Sequence, residues 1–172
     1  MILNGVVALM QNKTLVLGLG NTLLGDEGAG IYAVRALQER HPELADVEFL
    51  DGGTLSFTLA GPIEEADNLI VIDATQLKDS PGAVRLFEGK DMDRFLGSHR
   101  KSSVHEVSLI DLMAIARLAE ALPTRRALIG IQPRYLDWSD APTVEVARAI
   151  PIVCDMAMDL IGRWQDTPGA NA

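Results

Sequence analysis

Apolar positions along the chain fall into short continuous runs separated by helical stripes. Residues 14–19, 47–50 and 69–72 are mainly apolar, and each run gives way to Gly or Asp. This is the pattern of parallel strands buried on both faces. Between the first two runs, Ile31, Val34 and Leu37 recur at helical spacing, with Arg35, Gln38 and Glu39 on the other side and His41-Pro42 ending the helix. A second, short helix is predicted over 55–65, interrupted near Gly61-Pro62. Residues 83–88 alternate like an edge strand, 127–131 form another apolar strand, and 144–164 make a long closing helix behind Pro142. Alternating strands and helices predict an α/β domain, a three-layer sandwich with a mainly parallel sheet and right-handed crossovers. No repeat or linker divides it. The expectation is a single domain over 1–172, with 1–12 as an N-terminal extension and 167–172 as a loose tail.

Composition narrows the class of partner. A hydrophobic content of 48% in 172 residues suffices for one sizeable core without disulfides. The formal net charge of −9 argues against nucleic acid or an anionic membrane as partner, leaving a protein or a small ligand. The lone Cys154 sits among Ile152, Val153 and Met156 and reads as a buried thiol in a chain suited to the reducing cytoplasm. Residues 1–10 are mostly apolar but lack a basic leading segment and are too short to span a bilayer.

Ligands of open parallel sheets bind outside the carboxyl ends of the strands. The three best strands end in Gly18-Leu19-Gly20-Asn21, Asp51-Gly52-Gly53-Thr54 and Asp73-Ala74-Thr75, so these loops should share one rim, with Asp26-Glu27 entering the first helix beside them. A strand-end Asp taken singly is a turn former or helix cap. Several acids on one rim repel unless they bind a cation, stay partly protonated or accept donors. In Ser102-Ser103-Val104-His105-Glu106, Ser103 and Glu106 have capping-box spacing, which starts a helix with His105 in its first turn. Leu109, Leu112, Met113 and Ala116 continue the stripe of His105, leaning its imidazole toward the sheet, where the helix end keeps it neutral. His41 and His99 read as solvated. One imidazole with carboxylates suits nickel, zinc or a similar divalent ion with positions left open. No C-x-x-C or H-E-x-x-H occurs.

The stretch Gly18-Leu19-Gly20-Asn21-Thr22-Leu23-Leu24-Gly25-Asp26-Glu27-Gly28-Ala29-Gly30 resembles the N-terminal signature of the hydrogenase maturation proteases, G-x-G-N-x-L-x-x-D-[DE]-x-x-G. Asp51-Gly52-Gly53-Thr54, Ile72-Asp73-Ala74 and His105 before a Leu-x-Asp-Leu helix follow in that family's order. The resemblance covers roughly residues 14–164. Residues 128–133, with Asp137-Trp138 and Pro142-Thr143, are similar to the branch serving uptake hydrogenases.

The resemblance implies an α/β/α sandwich with a twisted, mostly parallel five-stranded sheet, and metal contacts at Glu27, Asp73 and His105. It also implies a cytoplasmic endopeptidase that trims the C-terminal extension of the nickel–iron hydrogenase large-subunit precursor once nickel is in place. The nickel would belong to the substrate, though the isolated protein could take zinc or cadmium from a buffer. The peptidase chemistry is expected to be aspartic-type or metal-assisted, with Asp51 orienting a water or taking a proton. Gly52 and Gly53, like Gly28 and Gly30, allow close approach of a substrate peptide or serve turn geometry alone. Thr54 reads as a helix N-cap, and neither it nor Ser56 has a base placed beside it. Two rivals stand. A nucleotide-binding module is disfavoured because Leu23 occupies the third glycine of a dinucleotide fingerprint. A non-catalytic nickel chaperone would use the same three ligands.

Overall fold

The structure is a computed structural model that describes residues 12–98 and 108–167. One sheet holds β1 (Thr14–Gly18), β2 (Val47–Asp51), β3 (Asn68–Ala74), β4 (Val84–Glu88) and β5 (Arg125–Ile131), in the order β2-β1-β3-β5-β4. Every neighbouring pair is parallel except β4 with β5. The connection 75–83 is too short for a crossover, so β4 returns antiparallel at the edge, as its alternation led one to expect.

β1 is buried throughout and β3 over its first five residues. Alternate side chains feed two cores. Val16, Ile70, Ile72 and Ile129 meet α1 (Ala29–Arg40) and α5 (Val144–Asp166), whereas Leu15, Leu17, Leu69 and Val71 meet α2 (Ala60–Glu64), α3 (Lys90–Ser98) and α4 (Leu109–Leu118). The result is the expected helix–sheet–helix sandwich. Cys154 lies in the first core, where burial pushes its thiol pKa up.

Three expectations shift. The second helix breaks earlier than Gly61-Pro62: a 3-10 turn, Phe57–Leu59, leads into α2, and Pro62 occupies its first turn, where a missing N–H breaks no helical bond. Thr54 lies outside that start and caps neither segment. α3 was not anticipated. It turns Met92 into the core and stacks Phe95 on Phe87 with ring centroids 4.1 Å apart, but four charged residues in its first five mask that stripe in the sequence.

The third shift concerns the helix placed at Ser103. α4 begins at Leu109, with Ser108 as N-cap in a capping box: the Asp111 N–H donates to Ser108 Oγ at 3.3 Å, and the Ser108 N–H donates to Asp111 Oδ2 at 3.0 Å. Ser-x-x-Asp thus closes the box three residues after His105. The predicted stripe of Leu109, Leu112, Met113 and Ala116 is buried. His105, Ser103 and Glu106, like His99, lie outside the described residues.

Candidate functional site

The chain leaves β1 toward β2 on one side, while β3 lies against the other side of β1. The sheet therefore has its topological switch point between the carboxyl ends of β1 and β3, where the diverging connections leave a crevice. A 3-10 turn, Gly25–Gly28, runs straight into α1 over this point. Gly30 makes the approach possible: a β-carbon there would stand 2.1 Å from Ile72 O and 2.5 Å from Leu19 O. Gly20, at φ +136°, likewise has the Glu27 carbonyl where a side chain would go. The glycines of the first motif serve close packing of the turn onto β1 and β3, and that packing carries Glu27 to the end of β3.

Asp73 follows Ile72 at that point. It is partly buried, and its pKa is raised from the usual 3.8 to about 7, first by burial and then by the negative charge of Glu27, against a smaller opposing pull from the Ala74 N–H. Two of the three expected metal-contacting residues therefore meet at the switch point, close enough to feel each other's charge. Among the described residues no group of three or more His, Cys, Asp or Glu is placed to hold a metal ion. The third expected ligand, His105, is outside them. Two adjacent carboxylates, one resisting ionisation, suit a divalent cation, which would replace their repulsion with attraction.

Asp51 has different surroundings. It ends the edge strand β2, level with Gly18, so β1 stands between it and β3, a gap of roughly 10 Å from two strand spacings. Its side chain is exposed, accepts the Gly53 N–H at 3.0 Å, and pairs with Arg35 at 2.9 Å. Gly52 packs close to β1, where a β-carbon would meet Leu17 Cδ1 at 2.7 Å. Gly53, with nothing within 4 Å of its would-be side chain, donates nothing to the core but accepts the Gly20 N–H at 2.9 Å.

Two buried polar residues build the rest of the rim: Asp26, which the sequence placed beside it without a structural part, and Gln132. Asp26, 1% exposed, accepts the Arg134 N–H at 2.8 Å, the Thr143 N–H at 2.6 Å and the Thr143 hydroxyl at 3.0 Å. It clamps both ends of the segment from Arg134 to Thr143 against the turn that bears Glu27. Leu24 pairs with Ser139 as an isolated bridge, and the Gly25 N–H donates to Ser139 O at 3.0 Å. Gln132 accepts the Leu77 N–H at 2.7 Å and donates to Pro133 O at 3.1 Å, tying the connection after β3 to the end of β5. The available sequence signal was the pairing of Asp26 with Pro142-Thr143, polar residues flanking apolar elements with no visible reason to be there.

The family described as hydrogenase maturation protease matches residues 31–160. The chain is 39% identical over 167 residues to the hydrogenase expression/formation protein HupD of Rhodobacter capsulatus, spanning 95% of this chain and 79% of that one. It is 35% identical over 136 residues to the hydrogenase 2 maturation protease of Escherichia coli, covering 77% of this chain and 82% of that one. Its fold superposes on the hydrogenase maturating endopeptidase HybD from E. coli with a TM-score of 0.81 at 30% identity, over 88% of this chain and 93% of that structure. Sequence and fold agree, and the chain belongs to the hydrogenase maturation protease family.

Proposed function

We propose that this chain is the endopeptidase that removes the C-terminal extension of a nickel–iron hydrogenase large-subunit precursor in the cytoplasm after nickel insertion. The observation that carries this reading is the meeting of Glu27 and Asp73 at the sheet's switch point, in a member of a protease family. Glu27, Asp73 and His105 are assigned to nickel that arrives in the substrate. A pair of mutually repelling carboxylates is a poor resting arrangement and a good one for an incoming cation, so binding is coupled to whether the precursor carries its metal. When present, such a metal polarises a carbonyl or acidifies a bound water.

The chain's own residues then do the positioning. Gly30 and Gly20 let the turn approach β3, Glu27 and Asp73 face the cation together, and Gly52-Gly53 offers yielding backbone beside β1 for the peptide. Asp51 is assigned the lesser part of orienting water from the edge strand, with Arg35 holding its carboxylate in place. Among the described residues no helix is long and apolar enough to cross a membrane.

The test is trimming of purified precursor, with and without nickel, by the wild type and by Glu27→Gln and His105→Ala, read as a mass shift of the large subunit. Nickel-dependent trimming that is lost in both variants is expected. Nickel binding without trimming by the wild type overturns the protease assignment and leaves a chaperone.

A further inference from the structure

The segment from Arg134 to Thr143 combines two features that conflict in a loop serving only as a connection. It is held firmly: Asp26 grips both ends, Ser139 bonds to the Leu23–Gly25 backbone from both its N–H and its carbonyl, and the Tyr32 hydroxyl donates to Asp140 O at 3.3 Å. Yet it turns large apolar side chains to water. Trp138 is 77% exposed, and Tyr135, Leu136 and the adjoining Leu23 are each more than half exposed. Exposed single hydrophobics are ordinary, but a contiguous set on a pre-ordered loop is the form of a binding surface, because ordering has already been met in the free protein.

The charges around Trp138 indicate what it receives. Asp137 precedes it and Asp140 follows two residues on, and neither is in an ion pair with another described residue. Arg134, a cation on the same segment, is committed to Glu145 at 2.6 Å. An exposed indole on a short segment that also carries two acids fits an Arg or Lys side chain, which can lie on the ring face and pair with a carboxylate. The surface is also continuous with the candidate site, since Leu24 and Gly25, bonded to Ser139, lead directly into the turn bearing Glu27.

We propose that Leu23, Tyr135, Leu136 and Trp138, with Asp137 and Asp140, form a docking surface for a segment of the substrate precursor that carries apolar side chains and at least one Arg or Lys. The surface deepens the proposed function and rests on it for the identity of the partner. It supplies affinity from contacts remote from the cut, so that the crevice need contribute only recognition of the metal. A central aromatic anchor of this kind carries a large share of an interface's binding energy.

The experiment measures the dissociation constant of purified, nickel-loaded precursor by calorimetry, separately from trimming. Trp138→Ala should weaken binding by about tenfold or more. The double variant Asp137→Asn/Asp140→Asn should weaken it at low salt and flatten its dependence on ionic strength. Leu118→Ser, at an 87% exposed position on α4, should change nothing. Unfolding curves of the Trp138 variant should match wild type, because the side chain touches little of the core.

Wild-type affinity in both Trp138→Ala and the double Asn variant overturns the docking surface, as does a loss equalled by Leu118→Ser. Wild-type protein that binds the precursor through Trp138 but never trims it overturns the protease assignment and leaves the surface standing. Wild-type protein that fails to bind the precursor at all overturns the surface even if slow trimming is seen.

Discussion

Asp26 and Asp73 lie a few residues from the same crevice and are both withdrawn from solvent, but they have been given opposite company. Asp26 is almost fully buried and receives three hydrogen bonds, two from backbone N–H groups and one from a hydroxyl. Asp73 is less enclosed, yet its ionisation is opposed by burial and by Glu27. Burial by itself therefore does not distinguish an acid that holds the fold from one available for a ligand. The company does: three donors hold Asp26 as a structural part, whereas Asp73 faces another acid.

The sharpest way to break the contrast is to neutralise the two facing acids. Glu27→Gln and Asp73→Asn should each lower nickel-dependent trimming by roughly 100-fold or more, at or beyond the upper end of what removing a group behind a metal ligand costs. Neither should unfold the protein. For Asp73 the sign can be worked out: the unfolded chain releases its proton near 3.8 and the folded chain near 7. Metal-free wild type should therefore lose stability as pH rises between these values, and Asp73→Asn should lose less. Thermal unfolding at pH 5 and pH 8 reads the difference, and identical pH profiles would remove the electrostatic account.

Asp26 should respond in the reverse manner. Asp26→Ala strands three donors in the interior, for a loss of about 3 kcal/mol or more, which for a chain of this size lowers the melting temperature by roughly 6–12 °C. Calorimetric scans check this, and an unchanged melting temperature would show that the rim holds without the clamp.

A third acid sharpens the comparison at smaller magnitude. Asp93 on α3 accepts two bonds from Arg126 of β5, at 2.9 and 2.6 Å, and this partner holds its pKa below the usual value. Its stabilising effect is present above the ordinary Asp pKa and is lost as pH falls through the lowered one. Asp93→Asn should cost about 1–2 kcal/mol at neutral pH, as for a hydrogen bond to a charged group. The gap between variant and wild type in denaturant titrations should close in strong acid.

Asp51, exposed and paired with Arg35, should give the smallest stability effect, below about 1 kcal/mol for Asp51→Asn. Trimming by that variant should slow. An unaltered rate would confine Asp51 to shaping the Gly52-Gly53 turn.

Much of the fold was legible in the sequence. The strands announce themselves because a sheet covered on both faces demands uninterrupted apolar runs, and all five observed strands match the predicted ones within two residues at either end. The largest extension, at the end of β3, takes in Asp73 and Ala74. The candidate pair Glu27 and Asp73 was legible for a related reason: strand ends in a parallel sheet share an edge, so residues placed there meet. α3 and the start of α4 were harder, since capping-box spacing at Ser103 and at Ser108 looks alike in the sequence.

The sequence by itself determined the alternation of strands and helices, the two-faced burial of the sheet, and which loops share its carboxyl edge, because these follow from local periodicity and chain direction. Only the tertiary structure decided the division of labour among the acids. Whether a carboxylate is answered depends on donors that arrive from far along the chain, as Arg134 and Thr143 arrive at Asp26 from more than a hundred residues away. No local pattern encodes that meeting. It exists only after the sheet has assembled and brought the ends of β1, β3 and β5 to one rim.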